Sequence, residues 1–200
     1  MNKENHDILI YKYTYQELGL DLEGEFFLSF MRTLQPPGNK KPPGNKKPPI
    51  KFYIERCIYS KPQFNKLMSQ YKDFIYWSDR EASYKFNSDI GSKWMNLAKM
   101  NDHPKFIRIP PWLIQLTKDF KLNFTDMMIL ADIYSFQNKR LEYHKCRASI
   151  AEFLDLHIDR ISKKLTKLKD LGLIEIIKTK TVNIMKLTAK FLNYDTGREG

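Results

Sequence analysis

Closely spaced basic side chains are the feature of this sequence with the clearest chemical meaning. From His157 to Lys186, a stretch of thirty residues, there are eight Lys or Arg and three Asp or Glu, which gives a net charge of +5. Cations grouped in this way are typical of surfaces that contact the phosphates of nucleic acids. The candidate nucleic-acid-binding residues of this stretch and of the segment before it are Arg147, Ser149, His157, Asp159, Arg160, Lys163, Lys164, Lys167, Lys178 and Lys180.

We expect these residues to divide between the bases and the backbone of a DNA duplex. A helix in the major groove presents side chains to base edges, and an Arg or Lys that binds guanine with two hydrogen bonds is the most common such contact. The residues expected at base edges are Asp159, Arg160, Lys163 and Lys164. The residues expected at phosphates, where they set the register on the duplex, are Arg147, Ser149, Lys167, Lys178 and Lys180. For His157, a helix cap, a phosphate contact and a neutral surface role are all open.

Two helices are predicted to carry most of these residues. Ser149 and Glu152 have the spacing of a capping box at the start of the first helix. Asp155 then occupies a turn position that requires a positive φ. The second helix runs from His157, and its apolar side consists of Ile158, Ile161, Leu165, Leu168 and Leu171. Gly172 follows the last of these, as expected of a glycine that ends a helix.

After Gly172 the pattern changes from helical to strand-like. Residues 173–177 are rich in β-branched side chains, and Val182 and Ile184 belong to a second, alternating segment. Lys178 and Lys180 lie between the two segments and would form the tip of a hairpin. Helix, turn, helix and hairpin in this order make a winged helix-turn-helix. We therefore predict a mainly α protein with small β elements (α+β), in which this domain is C-terminal and a smaller α+β region precedes it.

The run SIAEFLDLHIDRISKKLTKLKDLGLIE, which begins at Ser149, resembles winged-helix DNA-binding domains. Together with FIRIPPWLIQL and FTDMMILADIYSF, the segment from Phe106 to Thr188 is similar to the replication initiators and replisome organisers of plasmids and phages of Gram-positive bacteria. This resemblance implies binding to double-stranded DNA, with other replication proteins as further partners. Asp155 stands where that family usually has glycine, and His157 stands where it usually has Ser or Thr.

Other interpretations of the basic segment are open. Charged helix faces are often only solvated, and the same fold also occurs in transcriptional regulators that bind an operator as homodimers. A winged helix that binds another protein, without DNA, is a further alternative. We do not expect an enzyme, a cofactor or a metal, because the glycines are scattered and the acidic residues lack nuclease spacing. His144 and Cys146 likewise lack the second pair of ligands that zinc requires.

The composition of the whole chain points to an anionic partner. Its 200 residues carry a net charge of +11, with a pI of about 9.5, which favours nucleic acid or an acidic membrane surface. No apolar run has the length of a membrane span and no signal peptide is recognisable, so we expect no membrane partner. Cys57 and Cys146 form no pair motif, which fits a reducing compartment. The expected location is the bacterial cytoplasm, in association with DNA.

We predict five parts along the chain. They are a helical and strand segment (1–34), a Pro/Gly/Lys-rich linker or loop with the repeat PPGNKK (35–49), an aromatic α+β subdomain (50–100), the winged-helix domain (104–190) and a flexible tail (191–200). In the third part we expect a strand from Ile50 to Ile58, then a helix from Lys61 to about Trp77, with the aromatic side chains in a core. Thr125 is expected to cap the central core helix of the fourth part.

Overall fold

The computed structural model describes residues 7–11, 18–33, 48–79, 83–87, 89, 92–93, 106–179 and 183–196. These residues form an α+β protein, and the predicted class is confirmed at that level. The chain divides into two compact units, Met1–Ile114 and Gln115–Gly200. Most of the linker predicted at 35–49 lies outside the described residues.

The first unit contains helices and short antiparallel strand pairs. Its elements are β1 (Ile8–Tyr11), α1 (Leu22–Thr33), α2 (Ile50–Ile54), α3 (Lys61–Gln70), β2 (Ile75–Ser78), β3 (Ser83–Phe86) and β4 (Phe106–Ile109). Strand β1 pairs with β4, with Ile8 opposite Ile109, and β2 pairs with β3. We expected β4 to open the domain at 104–190. The strand is present, but its partner belongs to the N-terminal segment.

Phe27 in α1 lies at the centre of an aromatic core. Its ring centroid is 5.4 Å from that of Phe64, 6.2 Å from that of Tyr59 and 6.3 Å from that of Tyr71. All four rings are buried, which confirms that aromatic residues of 50–100 serve as core. A Cβ on Gly24 would lie 2.5 Å from the Tyr71 ring, so this glycine is what allows the ring to approach α1.

Two predicted elements of the first unit are wrong in type or length. The strand expected from Ile50 to Ile58 is instead helix α2 followed by a turn. The buried residues there are Tyr53 and Cys57, which are four positions apart and share one side, as in a helix. The helix expected to reach Trp77 ends at Gln70, because Ile75, Tyr76 and Trp77 favour a strand and form β2.

The second unit is built around one apolar helix. The elements from the division onward are α4 (Pro111–Asp119), α5 (Phe124–Gln137), α6 (Arg147–Leu154), α7 (Ile158–Asp170), β5 (Ile174–Lys178), β6 (Asn183–Leu187) and α8 (Ala189–Thr196). Every residue of α5 from Asp126 to Ile133 is buried, so the predicted central core helix is confirmed. Its cap is Asn123, which accepts a hydrogen bond from the Asp126 amide over 3.0 Å. The cap predicted at Thr125 is therefore wrong, because the helix starts before that residue.

Helix α8 occupies residues that we expected to be a flexible tail. Phe191 in this helix is fully buried, with its ring 6.3 Å from that of Tyr134 in α5. Thr188 precedes the helix and accepts a hydrogen bond from the Phe191 amide over 3.4 Å. A single buried aromatic side chain thus fixes a segment whose apolar pattern is too short to identify from sequence.

Candidate nucleic-acid interface

Helices α6 and α7 are joined by a three-residue turn. Asp155 has φ 50° and ψ 51°, which confirms the predicted left-handed conformation. The amide of Leu156 donates to the carbonyl of Ala151 over 2.9 Å and closes the end of α6. His157 caps α7, with Nδ1 accepting from the Asp159 amide over 3.4 Å, so the cap role is confirmed for this histidine. The turn places the start of α7 directly after the end of α6.

The start of α6 differs from the prediction. Its cap is Cys146, whose Sγ accepts from the Ser149 amide over 3.4 Å and lies 3.3 Å from the Ser149 hydroxyl. The capping box predicted for Ser149 and Glu152 is therefore wrong, since the helix begins three residues earlier and Ser149 lies within its first turn. The hydrogen bonds from Ser149 lower the pKa of the exposed Cys146 thiol. The same shift of the helix start makes Arg147 its first residue.

The apolar side of α7 is confirmed in its middle. Ile161, Leu165 and Leu168 are at most 2% exposed, and Gly172 has the positive φ expected of it, 68°. Ile158 is different, because it is 41% exposed. Ile158 is the first residue of the helix. The prediction that it is buried with the rest of the apolar side is therefore wrong.

An antiparallel hairpin follows Gly172. Strand β5 pairs with β6, with Ile174 opposite Leu187 and Lys178 opposite Asn183. Lys178 is exposed at the end of β5, whereas Lys180, expected at the tip, lies outside the described residues. A bridge between Tyr143 and Met185, with a hydrogen bond of 3.1 Å, extends the pair by one more short segment. Sequence reasoning missed this segment, because one bridging residue leaves no alternating pattern.

The structure leaves several candidate side chains on the surface around the start of α7. Asp159, Arg160 and Lys163 are exposed. In the described part of the chain, Arg160 and Lys163 have no salt-bridge partner. Arg147 donates from Nη1 to the Ser162 hydroxyl over 3.3 Å, so the first residue of α6 lies beside α7.

Lys164 and Lys167 do not belong to this exposed set. Lys164 Nζ lies 3.1 Å from Asp126 Oδ1, and Lys167 Nζ lies 2.6 Å from Asp126 Oδ2. The Asp126 side chain is fully buried, whereas those of the two lysines are 23% and 41% exposed. The two ammonium groups are thus directed to a carboxylate of the core, and the expectation that both lysines face DNA stays a prediction.

A groove of about 650 Å³ lies between the start of α7, the hairpin and the segment before α6. Its basic lining residues include Lys145, Arg147 and Lys178, and none of the described residues that line it is acidic. Ile158 also lines this groove. Two of the candidate residues, Arg147 on α6 and Lys178 on the hairpin, are therefore brought to the same surface feature.

One wall of the groove is anchored by a buried polar cluster. Asp132 in α5 is 2% exposed, and its Oδ2 accepts from the Tyr143 hydroxyl over 2.6 Å and from Lys145 Nζ over 2.5 Å. Burial, with the neighbouring Asp132 carboxylate, raises the pKa of Tyr143. Lys145 also lies 5.4 Å from the centre of the Phe153 ring. The sequence signal that could have revealed this cluster is Asp132 itself, which interrupts the apolar run of residues 127–133.

Across the described ranges, no group of three His, Cys, Asp or Glu residues is arranged to hold a metal ion. No helix in those ranges combines the length and apolar content needed to cross a membrane. A scan against protein-family models found no matching family, and searches of curated proteins and of solved structures gave no significant match.

Proposed function

We propose that residues 115–200 form a winged helix-turn-helix domain that binds double-stranded DNA, with α7 in the major groove and the β5–β6 hairpin as the wing. One observation carries the proposal. Helix α6, the left-handed turn at Asp155, α7 and an antiparallel hairpin follow one another in the order of that fold. The exposed cations of α7 and the groove without described acidic residues lie on this assembly.

In this proposal the exposed start of α7 meets the bases. Arg160 and Lys163 are the candidates for hydrogen bonds to guanine, with Asp159 as a hydrogen-bond acceptor beside them. Ile158, the apolar residue exposed at the first turn, would contact a thymine methyl group.

The backbone of the duplex would be held from both sides of the groove. Arg147 lies on one side and Lys178 on the other, and both line the groove. Ser149 and His157 lie in or next to helix N-termini, which attract phosphate. Because phosphate contacts carry no sequence information, these residues would fix the register of the protein and raise affinity for any duplex.

The biological process is proposed from the sequence resemblance alone. Similarity to replication initiators and replisome organisers of plasmids and phages favours binding at a replication origin, with other replication proteins as partners. Footprinting on the DNA of the element that carries this gene distinguishes a role in replication from a role in transcriptional regulation. Protection at an origin supports the replication role, whereas protection confined to a promoter would assign the protein to transcriptional regulation.

The DNA-binding proposal is tested by selecting bound duplexes from a random pool. The affinity of the selected duplex and of a random duplex is then measured between about 50 and 200 mM salt. Arg160→Ala should cost about 1–3 kcal/mol on the selected duplex only, whereas Lys178→Ala should weaken both duplexes alike and reduce the salt slope by about 1.

The matched control removes a lysine from the first unit. Lys51 has a side chain that is 83% exposed, so Lys51→Ala removes one positive charge without altering any residue assigned to the proposed interface. This variant should bind both duplexes like the wild type. Failure to enrich any duplex, together with affinity that does not depend on salt, would reject the proposal.

A further inference from the structure

We propose that Asp126 is a positioning residue for DNA recognition, which fixes α7 on the core and keeps Lys164 and Lys167 away from the duplex. The inference rests on the proposed function, because it assigns to α7 the reading of bases. It changes the expected set of DNA contacts, since Lys164 and Lys167 would hold α7 on the core instead of binding DNA. It also makes a residue of the core helix, remote in sequence from α7, responsible for specificity.

The Asp126 carboxylate is itself held in place. Its Oδ2 accepts from the Asn123 amide over 3.1 Å and from Lys167 Nζ over 2.6 Å. Its Oδ1 lies 3.1 Å from Lys164 Nζ. The carboxylate closes the capping box at the start of α5. Because that hydrogen bond ties it to α5, the carboxylate would not move together with α7.

Two lysines on one carboxylate restrict both the rotation and the sliding of α7. Lys164 and Lys167 are three positions apart and therefore lie on neighbouring parts of one helix side. A movement of α7 along or around its axis would withdraw at least one ammonium group from a fully buried carboxylate. Leaving a buried charge without its partners is strongly unfavourable, so the observed placement of the helix is favoured over alternatives.

The other flank of α7 has its own contact. Ser162 accepts from Arg147 over 3.3 Å, and at 100° per residue it lies about 200° around the helix from Lys164. Asp126 on one side and Arg147 on the other thus hold α7 at two well-separated points. The exposed arc between them contains Asp159 and Lys163, two of the residues assigned to base edges. Arg160, the third, lies one turn before Lys164 on the same side of the helix.

The same ion pairs limit binding to random DNA. Each lysine that reaches a phosphate makes the salt slope steeper by about 0.9. Lysines paired with Asp126 do not contribute to that slope, so the wild-type surface relies more on base contacts. Specificity is the ratio of the affinity for the specific duplex to the affinity for random DNA. Asp126 raises this ratio in two ways, because it holds α7 for the base contacts and keeps Lys164 and Lys167 from the phosphates.

The test compares Asp126→Asn with Asp170→Asn. Both remove one negative charge, but Asp170 is exposed at the end of α7 and makes no salt bridge within the described residues. Asp126→Asn should steepen the salt slope on random duplex by about 1 to 2. It should also lower the ratio of specific to random affinity at least about fivefold, the effect of one lost base contact. Asp170→Asn should leave both quantities near the wild-type values.

Identical behaviour of the two variants would overturn the inference. If Asp126→Asn does not fold, Lys164→Met and Lys167→Met replace it, since each leaves one lysine on the carboxylate. The inference expects a wild-type salt slope from both variants. A slope reduced by about 0.9 in either would assign that lysine to phosphate and overturn it.

A measurement without DNA separates this inference from the proposed function. In the free wild-type protein, acetylation followed by mass spectrometry should modify Lys164 and Lys167 more slowly than the exposed Lys163. Equal rates would show that the ion pairs are not maintained, and the inference would fail whatever the protein binds. Slow rates in a protein that binds neither duplex would support the ion pairs and reject the DNA-binding proposal.

Discussion

Replacing Tyr143 by phenylalanine tests how one wall of the groove is anchored. Tyr143 is 0% exposed, and its hydroxyl donates to Asp132 Oδ2 over 2.6 Å. A hydrogen bond to a charged group contributes about 1.5–3 kcal/mol. Lys145 Nζ, at 2.5 Å, still pairs with Asp132 after the substitution. We therefore expect a loss near the lower end of that range, about 1.5–2 kcal/mol, in the free energy of unfolding of the second unit.

Native-state hydrogen exchange of the buried amides of α5 measures this free energy in the second unit alone. Tyr76→Phe is the control, because Tyr76 is 50% exposed and belongs to the first unit. Exchange from α5 should not change in the control. A loss below about 0.5 kcal/mol in Tyr143→Phe, the range typical of surface substitutions, would refute the anchoring role of the hydroxyl.

The same substitution should change the alkaline stability of the protein. Burial and the Asp132 carboxylate raise the pKa of Tyr143 in the folded state. The stabilisation by the protonated Tyr143 hydroxyl is complete below the pKa of tyrosine in the unfolded chain, about 10. It is lost as the pH rises from there towards the pKa of Tyr143 in the folded protein. In urea unfolding followed by circular dichroism, the wild type should therefore lose stability above about pH 10 more steeply than Tyr143→Phe. Equal slopes would contradict the raised pKa.

Three further outcomes are expected. Gly24→Ala should destabilise the first unit by about 1–3 kcal/mol in thermal unfolding, because the new Cβ would lie 2.5 Å from the Tyr71 ring; an unchanged transition would contradict that packing. Ser149→Ala should slow alkylation of Cys146 near neutral pH, since the hydrogen bonds from Ser149 that lower the thiol pKa would be weakened; equal rates by mass spectrometry would exclude this effect. Replacing one thymine of the selected duplex by uracil should weaken wild-type binding but not that of Ile158→Ala, and equal losses in both proteins would remove Ile158 from the base contacts.

Sequence patterns predicted the local structure of the candidate interface well. The positive φ of Asp155, the cap at His157 and the glycine after α7 each depend on one residue and its immediate neighbours. The sequence pattern predicts the start of α6 three residues too late, because a cysteine is an uncommon cap and Ser149 has the more familiar pattern.

Side-chain partners that are distant in the sequence could not be predicted in the same way. Lys164 and Lys167 have the spacing of a solvated cationic face, but Asp126, 41 residues before Lys167, draws both to the core. Tyr143 pairs with a single residue of β6 and so leaves no strand signal. Periodicity reports which side of a helix is apolar, whereas these contacts depend on how the elements pack together.

The most direct test of the account is an NMR titration of isotope-labelled full-length protein with the selected duplex. We predict that the largest shifts occur at Arg160 and Lys163 on α7 and at the groove residues Arg147 and Lys178. Lys164 and Lys167 Nζ signals should keep their free-protein positions. Shifts confined to other surfaces, or no shifts in α7 and the hairpin at saturating duplex, would contradict the account.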